Sequence, residues 1–251
     1  RELQTLALGT LEALTKHKEK AVDVSTALSV NVNHGVLFYV LRKAVAELNT
    51  EDASSNSAEE DEWREALFSL LNSLLVSQPR LGDAMVAAGL FEILVEILTV
   101  RTSKAERTYP KVLSFLDQFV YNIRDAFQAL VNAKGLDAIA DLTAYEVEVS
   151  YAAAEKGQGL PQEYKTRVTD YNIPFYQQQT LRLLFKFMNH MITHATGNTD
   201  RALRNLIETP HLLRSIRTVL GNASVYGSSV WSSAVNIVSN FIHQEPTSYN
   251  V

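Results

Sequence analysis

Residues 226–246 read Tyr226-Gly227-Ser228-Ser229-Val230-Trp231-Ser232-Ser233-Ala234-Val235-Asn236-Ile237-Val238-Ser239-Asn240-Phe241-Ile242-His243-Gln244-Glu245-Pro246. Val230, Ala234, Ile237, Val238 and Phe241 recur at i, i+4, i+7, i+8 and i+11, the spacing of one buried face of an α-helix. Trp231, Val235 and Ile242 widen the stripe, so the helix is covered on more than one side. Ser228 and Ser229 are placed to cap its start. Pro246 ends it, because proline lacks the N–H and disfavours helix in the residue before it. A helix this apolar is stable only where other helices cover it, which is a statement about packing and carries no chemistry.

The same period runs through the rest of the chain. Trp63, Leu67, Leu70, Leu71, Leu74 and Leu75 form one stripe; Leu113, Leu116, Val120, Ile123, Phe127 and Leu130 form another. Leu181, Leu184, Phe185, Met188, Met191 and Ile192 form a third. No alternating strand run appears. A weak repeat accompanies the stripes, since Gly35, Gly89 and Gly135 each stand between two apolar helical runs. The intervals are 54 and 46 residues, against roughly 40–47 for armadillo and HEAT units. The second interval fits, and the first fits once an acidic loop is removed. Glycine suits the left-handed residue on which a helix commonly ends. A further unit begins at Thr209-Pro210, with threonine as cap and proline at the first helical position. The fold class expected is all-α, an armadillo/HEAT-like α-solenoid.

Two interruptions divide it. Residues 49–62 (Asn49 to Glu62) are acidic and poor in apolar side chains, which reads as a flexible surface loop, with a docking strip for a basic partner as the functional alternative. Residues 146–172, containing Lys156-Gly157-Gln158-Gly159-Leu160-Pro161, read as an inserted loop. The organisation expected is therefore helical repeat over 1–48, acidic loop over 49–62, armadillo-like repeats over 63–145, inserted loop over 146–172 and further repeats over 173–251.

Nearly half of the 251 residues are apolar and a fifth are charged, an ordinary globular balance. The net charge of -5 argues against a dedicated nucleic-acid surface. With no cysteine, the chain holds no disulfide, no cysteine-ligated zinc and no cysteine nucleophile. The run Met85 to Val100 is broken by Glu92 and Glu96 and is too short to span a bilayer, so no membrane association is expected. Opening on Arg1-Glu2-Leu3 without a leader, the chain reads as an intracellular piece of a longer protein.

No catalytic constellation is found. His190 and His194 are four apart on one helix, a spacing that can serve a metal. Met191, however, stands where a zincin has glutamate, and aromatic and thioether packing is the simpler account. Gly157-Gln158-Gly159 lacks the third glycine of a dinucleotide fingerprint. No serine sits in a nucleophile elbow. Asn222-Ala223-Ser224 is a sequon only in a secreted protein. Glu59 and Glu60 lie in the acidic loop, where nothing prepares them for acid–base work. Arg182, Lys186, Arg201, Arg204, Arg214 and Arg217 form a basic patch or, more simply, solvated faces pairing with Asp200 and Glu208. No catalytic, cofactor-binding or metal-ligating residue is assigned, and no cofactor.

Trp231 to Pro246 closely resembles the N-terminal helical region of the giant HECT-domain ubiquitin ligases of the Mule/Tom type, best matched by fungal members. His34-Gly35-Val36-Leu37-Phe38-Tyr39-Val40-Leu41-Arg42-Lys43 and Phe127-Gln128-Ala129-Leu130 onward to Gly135-Leu136 are similar to the same region. The resemblance implies an armadillo-like solenoid that scaffolds the ligase and engages protein substrates. It implies basic clients such as histones or ribosomal proteins, contacts with other parts of the same ligase, and work in cytoplasm and nucleus. It also implies that Val251 is an arbitrary end, with a further helical unit beyond it. The HECT thioester cysteine has no counterpart here, so ubiquitin transfer belongs elsewhere in such a ligase. An armadillo-type transport receptor or adaptor without ligase activity is the alternative function, and an RNA-binding helical solenoid the second alternative.

Overall fold

The computed structural model describes residues 1–28, 35–50, 57–158, 170–194 and 198–244. His34, residues 51–56, residues 159–169 with Leu160 and Pro161, and the Glu245-Pro246 stop lie outside the described residues. Among the described residues there are thirteen α-helices and no strand. They fall into two compact units, residues 1–135 and 136–251.

The first unit opens with α1 (Glu2–Thr15) and α2 (Lys18–Ala27). One helical triplet follows, α3 (Gly35–Leu48), α4 (Ser57–Ser77) and α5 (Pro79–Ala87), and then a second, α6 (Leu90–Thr99), α7 (Ser103–Phe119) and α8 (Ala126–Asn132). Each helix packs on its counterpart in the other triplet: α3 on α6, α4 on α7, α5 on α8. Helix α1 also packs on α4. A helix flanked by two neighbours needs a wide apolar surface, and α4 buries Trp63, Leu67, Phe68, Leu70, Leu71, Leu74 and Leu75.

Hydrogen bonds between the triplets fix their register. Thr102 Oγ1 donates to the Leu48 carbonyl at 2.7 Å and Lys104 Nζ to Thr50 Oγ1 at 3.2 Å, each across 54 residues. Further along, Arg107 Nε meets Asp61 Oδ2 at 2.7 Å, Lys111 Nζ meets Glu65 Oε1 at 2.9 Å, and Asn72 Nδ2 donates to Gln118 Oε1 at 2.7 Å. Those three pairs are all 46 residues apart. A constant offset along two helices means that they run parallel. The change from 54 to 46 locates eight additional residues of the first triplet between Thr50 and Asp61.

This revises the reading of 49–62 as a loop, because α4 begins at Ser57 and takes in Glu59, Glu60, Asp61 and Glu62. Carboxylates in a first helical turn complement the backbone dipole. Glu59 and Glu60 are the two in this first turn; Glu60 also lies 3.3 Å from Lys104, and Asp61 in the next turn is bonded to both Arg64 and Arg107. The glycines of the repeat divide into two kinds. Gly35 and Gly89 are left-handed, at φ 75 and 104. At the third position Lys134 takes that conformation, at φ 58, and Gly135 serves for lack of space. A Cβ there would sit 2.2 Å from Leu130 Cδ1.

The second unit holds α9 (Gly135–Glu155), α10 (Phe175–Thr193), α11 (Asn198–Ile207), α12 (Pro210–Leu220) and α13 (Ala223–Gln244). Helix α13 packs on α10 and α12. The expected loop at 146–172 is helical through Glu155, because this part of α9 is anchored inside the unit. Glu146, Val147 and Ser150 are buried, and the hydroxyl of the buried Tyr226 donates to the Val147 carbonyl at 3.1 Å. Along α13, Val230, Ala234, Ile237 and Phe241 are buried as their spacing predicts, while Val238 is half-buried. The half-buried Trp231 donates its indole N–H to the Leu220 carbonyl at 3.0 Å.

The cap of α13 differs from the expectation. Gly227 interrupts the helix with φ 81 and ψ 166, and the turns after it start at Ser228. The Ser228 N–H donates to Asp170 Oδ2 at 2.7 Å, so a distant carboxylate fills the position expected of the serines. The Asn172 N–H donates to the Val225 carbonyl at 2.8 Å, which fastens the same short segment to the helix start.

Candidate functional site

The parallel row α1, α4 and α7 carries a shallow groove of about 300 Å³ on the first unit. Its members repeat the 46-residue register. Glu65 faces Lys111 at one end, Phe68 and Ser69 stand opposite Ser114 and Phe115 in the middle, and Asn72 closes the other end, bonded to the exposed Gln118 beside the groove. Phe68 and Phe115 are buried and form the floor. The helical period brings these side chains to one face, since steps of three and four residues return to the same side. Glu12 of α1 forms the opposite wall, accepting a hydrogen bond from the Ser73 hydroxyl at 3.4 Å. Among the described residues no cation is ion-paired with Glu12.

The amide pair is the chemically specific part. Asn72 uses Nδ2 and Gln118 uses Oε1 in their mutual bond, which leaves the acceptor Oδ1 on one and the donor Nε2 on the other. Asn72 is half-buried and Gln118 exposed, so a ligand can reach both. The groove thus offers an acceptor at Asn72 and a carboxylate above an aromatic floor, and Gln118 places a donor beside its end. That set binds polar chains; it contains no activated nucleophile.

At the head of α4 lies a network that is structural. Arg64 is 3% exposed and Lys104 5%. Lys104 bonds Thr50 Oγ1 and approaches Glu60, so one buried ammonium joins both sides of the eight-residue insertion.

The second unit has its own groove, of about 430 Å³, between α9 and α12. Val147, Ala144 and Ala152 give it an apolar floor, with Glu148, Tyr151 and Arg214 at the rim. His211 Nε2 lies 2.9 Å from Asp141 Oδ1 beside it. The Tyr151 hydroxyl is pushed up from its ordinary value by its hydrogen bond with Glu155 and that residue's charge. Burial raises the Tyr226 hydroxyl too, partly offset by its bond with Ser150.

The His190 and His194 rings are 6.5 Å apart, edge to face, and His194 Nδ1 lies 2.7 Å from the His190 carbonyl oxygen. That nitrogen is engaged at the helix end. Among the described residues no group of three or more metal-ligating side chains converges. Gly157 is left-handed at φ 71 with open space around it. Asn222 donates its side-chain amide to the Thr218 carbonyl. The six basic residues are spread over α10, α11 and α12; Arg204 pairs with Asp200 at 3.1 Å and Arg182 bonds Gln179 at 2.8 Å. Among the described residues no helix is long and apolar enough to cross a membrane. The groove on α4 and α7 escaped sequence reading, although residues 46 apart at 65/111 and 72/118 would have pointed to it.

A family model described as Domain of Unknown Function (DUF913) matches residues 110–251. The chain belongs to the DUF913 family. A second model, Domain of Unknown Function (DUF908), matches residues 1–46. The DUF913 chain is 43% identical to an E3 ubiquitin-protein ligase TOM1-like of Neurospora crassa over 98% of its own length and 6% of that protein. It is 30% identical to the E3 ubiquitin-protein ligase ptr1 of Schizosaccharomyces pombe, over 93% of its length and 7% of the relative's. With the E3 ubiquitin-protein ligase UPL2 of Arabidopsis thaliana the identity is 24%, over 99% and 7%. The kinship with Tom-type ligases read from residues 231–246 therefore extends over the whole DUF913 chain, which spans only 6–7% of these relatives.

Proposed function

We propose that this chain is a non-catalytic segment of a HECT-type E3 ubiquitin ligase, an armadillo-like solenoid that scaffolds the enzyme and binds its protein clients. The observation that carries it is the register between the triplets. Helices α3, α4 and α5 lie on α6, α7 and α8, and stacking of equivalent helices is how a solenoid buries a continuous core and spreads a long binding face. Homology to ligases over nearly the full chain favours this over a free-standing transport receptor or adaptor. The division of the arginines over three helices, with Arg182 and Arg204 engaged, favours it over an RNA-binding solenoid.

In this proposal the transferring cysteine lies outside the chain, which has none. The clients are basic proteins such as histones or ribosomal proteins, met in cytoplasm and nucleus. Deleting residues 1–251 from the parent ligase tests it. The expected result is loss of ubiquitination of a subset of clients, with HECT thioester formation retained. Unchanged client range together with unchanged assembly of the ligase overturns it.

A further inference from the structure

We propose that the groove between α4 and α7 is a docking site for an extended peptide segment, read through its main chain by the Asn72–Gln118 amide pair. The proposal rests on the client-binding function above and names the site and the form of the client.

Three features define the occupant. Asn72 Oδ1 and Gln118 Nε2 remain after the 2.7 Å bond between the two amides, one accepting and one donating. The main chain of an extended peptide offers a free N–H and a free C=O side by side at every residue, whereas a helix satisfies its own; unpaired bases also carry such an edge, and the preference for peptide rests on the glutamates that line the groove, which repel a phosphate backbone. From Glu65 to Asn72 the floor follows seven residues of helix, about 10 Å, the reach of about three residues of extended chain. Phe68 and Phe115 beneath it are 5% and 3% exposed and can receive the apolar stem of one side chain.

Charge sets the preference. Glu12 and Glu65 both line the groove, and one cation, Lys111, answers them at 2.9 Å from Glu65. A basic side chain on the peptide completes the balance at Glu12, and Lys111 competes with it. Removing Lys111 therefore strengthens binding, an outcome that a merely structural role for these residues does not produce.

The experiment is an NMR titration of the 251-residue chain, labelled at side-chain amides, with an alternating lysine–alanine peptide of about twelve residues. Controls are the glutamate–alanine counterpart, an alanine-rich helical peptide and oligouridine. The expected result is movement of the Asn72 and Gln118 NH2 signals by the lysine peptide. Affinity falls about fivefold in each of Asn72→Ala and Gln118→Ala, as one hydrogen bond implies, and rises in Lys111→Ala. Circular dichroism checks that each variant folds; the exposed Gln118 and Lys111 keep the test open where Asn72→Ala fails it. Unmoved amide signals at millimolar peptide, alanine variants that bind as well as the parent, or stronger binding of oligouridine or the helical peptide overturn the proposal. Ubiquitination is not its readout, so its failure leaves the ligase assignment standing.

Discussion

At the scale of single residues the break in α13 is the most exacting position. Gly227 combines φ 81 with ψ 166, a region open essentially to glycine alone. A Cβ there would also lie 2.7 Å from Asp170 Oδ1 and 3.0 Å from Tyr171 Cβ. Gly227→Ala is expected to cost on the order of 1–3 kcal/mol, measured by urea unfolding. Gly9 is the opposite case, lying in α1 with nothing within 4 Å of its Cβ site. Gly9→Ala is expected to stabilise by up to about 1 kcal/mol, through helix propensity. Asp170 adds a pH dependence. Its carboxyl is held below the ordinary 3.8, first by the Ser228 hydroxyl and then by the Ser228 N–H. A lowered folded pKa stabilises fully above the unfolded value and loses that contribution as pH falls through the folded one. The thermal midpoint of Asp170→Asn should thus approach that of the parent below pH 3.8 and lie beneath it at neutral pH.

At the scale of elements, helix α4 shows what a sequence displays and what it conceals. Its apolar stripe from Trp63 to Leu75 was legible, because burial on both sides leaves a periodic trace. Its first turns were not, because Glu59 to Glu62 read as a solvated charge run. Their partners Arg64, Lys104 and Arg107 are mostly far along the chain. The Asp170 cap was hidden for the same reason, 58 residues from Ser228, and the amide pair of the groove spans 46. The two repeat intervals, by contrast, show in the spacing of the glycines, and the hydrogen bonds locate their difference. Thr50 aligns with Lys104, and Asp61 with Arg107. Deleting Asp52 to Glu59 should therefore leave a connection like that between α6 and α7, with a thermal midpoint within a few degrees of the parent, ~1 kcal/mol or less. Loss of cooperative unfolding would refute the alignment. Lys104→Met, in the uncut chain, is expected to cost on the order of 2 kcal/mol. The loss stays below that of a fully buried pair, since the Glu60 side chain is 19% exposed.

At the scale of the whole molecule, α1 has the composition of a helix covered on two sides. One face turns to α4 through Thr15 and the half-buried Thr5, Leu8, Leu11 and Glu12. On the opposite face Leu3 is 77% exposed and Leu6 67%, one helical turn apart. Apolar side chains that neighbour each other on an open face favour association as concentration rises, since burial gains about 25 cal/mol per Å² of surface removed from water. The 251-residue chain is expected to increase in apparent mass with concentration in light scattering. Leu3→Lys combined with Leu6→Lys should abolish that increase without lowering the unfolding midpoint, because neither leucine contributes to the core. A mass that stays constant in the parent, or a midpoint that drops in the double variant, would show that these leucines are packed within the chain and that α1 has a single apolar face.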